Sequence, residues 1–112
     1  MISTHVLDTA LGRPAAGVSV LLDQLGVAGE AREISRAVTD ADGRVRELVP
    51  TGVSVGPGRF RLTFDTASYF AAFGVEAFYP AVTVVFEVRD ATQHHHVPLL
   101  LSPYGYTTYR GS

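Results

Sequence analysis

The 112-residue chain contains no cysteine. That absence excludes a disulfide framework, a thiol nucleophile and a thiolate metal site. Charge is also sparse: 18% of residues are charged and the formal net charge is −2. So near-neutral a balance leaves no electrostatic footprint for nucleic acid or for an anionic membrane surface. No apolar run approaches the roughly 18 residues of a membrane span, and none has the form of a signal-peptide core. His5 follows Met1 within four residues, so a cleaved leader is not expected and the cytoplasm is the expected compartment. The hydrophobic content of 46% lies well outside the disordered range. One domain over residues 1–112 is expected, burying about two-thirds of its unfolded surface.

What is present is mostly strand signal. Residues 4–9 read as a short strand ended by Leu11-Gly12-Arg13-Pro14, and Val18, Val20 and Leu22 then alternate with Ser19, Leu21 and Asp23. Residues 26–30 break that run and residues 33–39 resume it. Asp40-Ala41-Asp42-Gly43 predicts a tight hairpin turn with Gly43 at positive φ, and residues 44–48 form the returning strand. Residues 50–58, with three glycines and two prolines, are loop. Phe60, Leu62 and Phe64 then oppose Arg59, Arg61, Thr63 and Asp65 in strict alternation. Thr66 as N-cap, Tyr69 and Phe73 four apart, and Gly74 as a stop predict one short helix. Val82, Val84, Phe86 and Val88 mark a further strand, turned by Asp90-Ala91-Thr92 into the last segment. Seven or eight short strands without a βαβ rhythm indicate an all-β sandwich, with no parallel sheet expected.

Residues 94–112, HHHVPLLLSPYGYTTYRGS, concentrate polar, ionisable and aromatic groups. In a strand, Val97, Leu99 and Leu101 share the core face while His94 and His96 look outward. Pro98 has no N–H for a ladder, which places this strand at an edge or beside a bulge. A tyrosine-rich edge after Pro103 is an aggregation hazard unless it is paired, and two-fold pairing with a second copy would cover it. The histidines admit three readings. One is a three-histidine zinc site with an open position, for which no acidic or amide side chain that would orient the rings can be named. Another is acid–base work by His5 and His96 in a polar cleft. The third is a solvated histidine patch, which suits His94 and His95 best. Arg44, Arg110 and Ser112 taken singly read as a hairpin residue, a rim charge and a terminal residue.

Taken together, four stretches resemble one family: His5-Val6-Leu7-Asp8 with Gly12-Arg13-Pro14-Ala15, Asp40-Ala41-Asp42-Gly43-Arg44, Phe78-Tyr79-Pro80, and residues 94–112. The family is the 5-hydroxyisourate hydrolases, also called transthyretin-related or transthyretin-like proteins. The resemblance covers essentially the whole chain, and its most specific mark is the ending Tyr109-Arg110-Gly111-Ser112. Transthyretin, the hormone carrier on the same fold, lacks that ending and the histidines that go with it.

The resemblance implies a transthyretin-like two-sheet β-sandwich of about eight strands with one short helix. It implies a homotetramer, a dimer of dimers, with active sites in the channel where dimers meet. The implied reaction opens 5-hydroxyisourate to 2-oxo-4-hydroxy-4-carboxy-5-ureidoimidazoline without metal or cofactor. The implied catalytic set is His5, Arg44, His96 and Ser112, with Tyr109, His5 and Arg44 binding substrate. Which histidine is the base stays open; the favoured assignment is His96 as base and His5 positioning water or substrate. His94 and His95 fall outside the family's essential set. A transthyretin-like carrier of a small ligand and a three-histidine zinc hydrolase remain the alternatives.

Overall fold

The alternating apolar positions become the inner faces of two sheets in a computed structural model that describes residues 1–112. One sheet is antiparallel throughout and contains β3 (Ser19–Leu25), β4 (Ala31–Val38), β6 (Gly58–Phe64) and β7 (Val82–Val88). Their order is β4-β3-β6-β7. Val20, Leu22, Phe60, Leu62, Phe64, Val82 and Val88 point inward from it and are buried. The second sheet is built on β1 (Ile2–Asp8), β8 (His95–Ser102) and β9 (Gly105–Thr108). Two short strands, β2 (Arg13–Pro14) and β5 (Arg44–Val45), share the remaining edge of β1. Ile2, Val6, Val97, Leu99 and Leu101 form its inner row. Each such side chain contributes about 1.5–3 kcal/mol when fully buried. These facing rows therefore hold the two layers together, and they belong to one continuous buried cluster.

The expected sandwich is present, with nine strands, two of them only two residues long, five in one sheet and four in the other. The helix, α1 (Thr66–Ala71), begins at the expected cap, and the cap itself lies one residue earlier: Asp65 is the N-cap, its Oδ1 accepting from Ser68 N at 3.3 Å, and Thr66 is buried. Gly74 ends the turn in the left-handed region at φ 70°. Tyr69 from α1 donates its hydroxyl to Asp8 Oδ2 at 2.8 Å. Asp8 Oδ1 meanwhile accepts from the backbone of Ala10 and Leu11, both at 3.0 Å. Burial and the Asp8 carboxylate push the Tyr69 hydroxyl up to about 12. The helix thereby fastens the end of β1.

Four expectations are corrected. The Asp40–Gly43 turn does not close a hairpin: β4 belongs to one sheet and β5 pairs with β1 in the other, so the chain turns a corner between layers. The expected returning strand over residues 44–48 shrinks to Arg44–Val45, paired with His5 and Thr4, and beyond it Leu48 N–H still donates to the Ile2 carbonyl at 2.8 Å. A parallel pairing does occur, between β1 and β8 over seven residues from Ile2–His95 to Asp8–Leu101. The intervening chain forms the whole other sheet, so no βαβ unit is needed to connect them. Strand β8 is likewise internal, flanked by β1 and β9. Pro98 is tolerated because the β8–β9 ladder lapses there: Leu99 pairs with Thr108, His96 bridges to Gly111, and Thr108 Oγ1 donates to the Pro98 carbonyl at 2.7 Å.

The corner depends on Gly43 and Asp40. Gly43 sits at φ 74°, buried, with its carbonyl accepting from Val6 N at 2.7 Å. A Cβ there would lie 2.4 Å from the Val6 carbonyl oxygen and 3.1 Å from Ala15 N. Gly43→Ala is expected to destabilise the fold by at least about 1–2 kcal/mol from the left-handed backbone alone, before the clash is added. A urea midpoint equal to that of the parent protein would show that the corner relaxes without cost.

Candidate active site

The residues of β1 that turn away from the core are Ser3, His5 and Leu7, by the strand's period of two. Register does the rest. The parallel ladder puts Ser3 beside His96 and His5 beside Pro98. The β1–β5 pairing puts Arg44 beside His5, and the bridge to β8 puts Gly111 beside His96. Four separate stretches of chain thus meet on the outer face of the five-stranded sheet. A cavity of ≈ 290 Å³ there is lined by Ser3, Thr4, Arg44, Val45, Arg46, His94, His96 and Ser112. A larger recess of ≈ 550 Å³ lies on the other sheet, between β3, β4 and β6, but Arg36 and Asp65 are its only ionisable side chains. The smaller cavity gathers four ionisable side chains, Arg44, Arg46, His94 and His96.

Of the residues expected from the sequence, Arg44, His96 and Ser112 line this cavity together. His5 stands one row along the sheet, cross-strand from Arg44. Tyr109 is not among the lining residues. It is 55% exposed and borders a neighbouring recess of ≈ 300 Å³ that also touches His96 and Arg110.

Arg44 is presented by the corner. Asp40 Oδ1 accepts from the Arg44 backbone N–H at 3.0 Å and from Asp42 N at 2.9 Å. The bond from Arg44 is the main reason the Asp40 carboxyl is held below its usual range. His96 is held by contact from two sides. Its Nδ1 lies 2.7 Å from Ser3 Oγ, and Gly111 donates its N–H to the His96 carbonyl at 2.8 Å. A Cβ on Gly111 would come within 2.5 Å of His96 Cδ2 and 3.1 Å of Pro98 Cγ. Glycine is required there because the chain end lies directly on the ring. Burial first, then the charges of Arg44, His5 and His94, lower the His96 pKa below the ordinary value of 6.5. The ring therefore stays neutral, and able to accept a proton, further into acid than a free histidine.

The reading of His94 and His95 as a solvated patch is corrected for His95, while His94 is exposed as expected. His95 is buried at the start of β8 on the inner face, its Nδ1 without a partner and its pKa lowered by burial and by Arg110. His94 is exposed, yet its Nε2 lies 2.7 Å from the same Ser3 Oγ that His96 meets. No three His, Asp or Glu side chains converge as metal ligands would. Ser3 was missing from the expected set. Its place two residues before His5 puts it on the site face, but nothing local names His94 and His96 as its partners.

A family model described as the HIUase/Transthyretin family matches residues 2–111. The chain is 48% identical over 116 residues to 5-hydroxyisourate hydrolase 2 of Rhizobium meliloti, an alignment covering 99% of this chain and 95% of that protein. Among solved structures it is similar to the 5-hydroxyisourate hydrolase of Klebsiella pneumoniae, with a TM-score of 0.85 and 36% identity over 99% of this chain and 98% of that one. It is also similar to transthyretin from Sparus aurata, with a TM-score of 0.90 and 32% identity over 98% of this chain and 95% of that one.

Titrating His96 by NMR should give a midpoint below 6.5, the ordinary value. Because Arg44 opposes the charged ring, Arg44→Met should move that midpoint upward. A midpoint at or above the ordinary value would remove burial and Arg44 as influences on the ring. The same shift has a stability sign: below the ordinary pKa the unfolded chain binds the proton first, so this contribution is lost as the pH falls.

Proposed function

The chain belongs to the HIUase/transthyretin family, and we propose that its outer-face cavity hydrolyses 5-hydroxyisourate by means of Arg44, His96 and Ser112, assisted by His5. The protein is a hydrolase of urate degradation: its substrate is the product of urate oxidation, and the ring-opened product lies on the route of purine breakdown towards allantoin. The observation that carries this reading is that Arg44, His96 and Ser112, from three distant segments, line one polar cavity. The resemblance to transthyretin is as close in fold as that to the hydrolases, with TM-scores of 0.90 and 0.85. Fold alone therefore does not separate a carrier from an enzyme. The cavity does: an apolar ligand channel gains nothing from two arginines and two histidines.

In this reading water attacks the carbonyl carbon of the six-membered ring's amide bond while His96 takes its proton. Arg44, permanently charged and fork-shaped, holds the developing oxyanion. The carbon–nitrogen bond then breaks, the nitrogen leaves with the proton returned by His96, and the former carbonyl becomes a carboxylic acid. His5 positions the water or the substrate, Ser112 orients the water or His96, and Tyr109 binds the polar edge of the substrate. A proton acceptor and an oxyanion donor contribute on the order of 10²-fold or more each, which suffices for a substrate that decays unaided.

The same reading assembles four chains as a dimer of dimers with the sites between dimers. Two features support it. Strand β9 has a free edge carrying the exposed Tyr106, and Tyr109, one residue past its end, stands outside the cavity that it would complete if a second copy roofed the sheet. Sedimentation at assay concentration should return a tetramer; a monomer with full activity would dismiss the shared site. For the reaction, urate oxidised enzymatically supplies the substrate, and its absorbance decay is followed with and without the protein and with a chelator. Decay should accelerate regardless of chelator. His96→Asn and Arg44→Met should each lower kcat by roughly 10²–10³-fold, whereas His5→Asn should act more on KM. Unchanged decay with the parent protein would leave only the carrier reading. A His96 variant with full kcat and a raised KM would take that residue out of the proton transfer.

A further inference from the structure

The hydroxyl of Ser3 lies between two histidine rings, 2.7 Å from His94 Nε2 and 2.7 Å from His96 Nδ1. The rings stack with centroids 6.5 Å apart and planes at 23°. Ser3 itself is buried, 6% exposed, so this hydroxyl has little water to turn to. A hydroxyl carries one proton and cannot donate to both rings. When it donates to one ring nitrogen, the other must donate to it, so the tautomers of His94 and His96 are locked together through Ser3.

Two arrangements satisfy this count. In the first, His96 Nδ1–H donates to Ser3 Oγ and Ser3 donates to His94 Nε2. In the second, both bonds are reversed and the proton of neutral His96 sits on Nε2. The geometry favours the first. Nδ1 of His96 is on the Ser3 side and Cδ2 is against Gly111, which leaves Nε2 at the outer end of the ring with no hydrogen-bond partner. Arg44 and Arg46 line the same cavity, and their positive charges favour a lone pair over an N–H directed into it.

We propose that Ser3 and His94 are positioning residues that hold the His96 proton on Nδ1, leaving Nε2 as the free base that receives the proton of the attacking water. The proposal rests on the hydrolase reading for its consequence and on the hydroxyl-centred geometry for its cause. As His96 takes the second proton, the Nδ1–H···Oγ bond becomes charge-assisted and stabilises the imidazolium. His94 receives no proton from the reaction, and the proton on Nε2 is the one returned to the leaving nitrogen. His94 thus acts without touching substrate.

The test uses the full chain with ¹⁵N-labelled histidine; only four rings need assignment. Neutral His96 should show the Nδ1–H tautomer in the parent protein and shift towards Nε2–H in Ser3→Ala. In kinetics with 5-hydroxyisourate, Ser3→Ala and His94→Phe should each lower kcat roughly 10- to 100-fold with KM within about threefold. Their double variant should be no worse than Ser3→Ala alone, because both break one chain of bonds. His94→Gln, which keeps an acceptor at the Nε2 position, should recover most of the loss. If Ser3→Ala does not fold, the exposed His94→Phe and His94→Gln pair decides by the same readouts. An Nε2–H tautomer in the parent protein overturns the proposal, as do additive losses or a His94→Gln variant as slow as His94→Phe. A parent protein that leaves the substrate's decay unchanged refutes the hydrolase reading instead, and the tautomer measurement then decides the relay on its own.

Discussion

The parallel ladder between β1 and β8 joins the first strand of the chain to its last long one, and its register governs both faces of the sheet at once. On the inner face it aligns Ile2 and Val6 with the rows of Val97, Leu99 and Leu101. On the outer face it sets Ser3 beside His96 and His5 beside Pro98. A slip of one residue would exchange those faces, burying histidine and exposing leucine. Hydrophobic burial on one side therefore fixes where Ser3, His5 and His96 stand on the other. Thr4 reinforces the register from within, its Oγ1 donating to the Val97 carbonyl at 2.7 Å in a buried position.

Two glycines transmit that register to the remaining site residues. Gly43 allows the chain to pass from one layer to the other and arrive antiparallel to β1 with Arg44 beside His5. Gly111 allows the final residues to lie against the His96 ring and bring Ser112 to the cavity. Each acts by a different physics: the first through a left-handed backbone, the second through the absence of a Cβ at a close approach. Neither position touches the cavity with a side chain, yet each sets where a functional side chain can stand.

The sandwich is shared by proteins named for hydrolysis and for transport. In this chain the polar side chains Ser3, Arg44 and His96 stand on an outer sheet face, where substitution costs the core little. Such a face is free to change chemistry while the inner rows keep the fold. The lowered His96 pKa is an example: it arises from burial and from Arg44, both consequences of how the face is assembled, and not from the strand that carries the residue.

The sequence by itself determined the inner rows, since Phe60, Leu62 and Phe64 or Val97, Leu99 and Leu101 alternate at a period that each strand reads locally. It also determined the Asp-Gly turn and the short helix, whose signals span a few residues. Through the resemblance of its marked stretches it indicated His5, Arg44, His96, Tyr109 and Ser112. It misread the turn as a hairpin, and it placed β8 at an edge or beside a bulge where the strand is internal, because pairing partners are chosen across the whole chain. Only the tertiary structure decided that β1 and β8 run parallel, that His95 is buried while His94 reaches Ser3, and that Tyr109 stands apart from the cavity. The Ser3 hydroxyl meets rings 91 and 93 positions away. That contact follows from the packing of two layers, and no short-range rule of spacing or propensity extends so far.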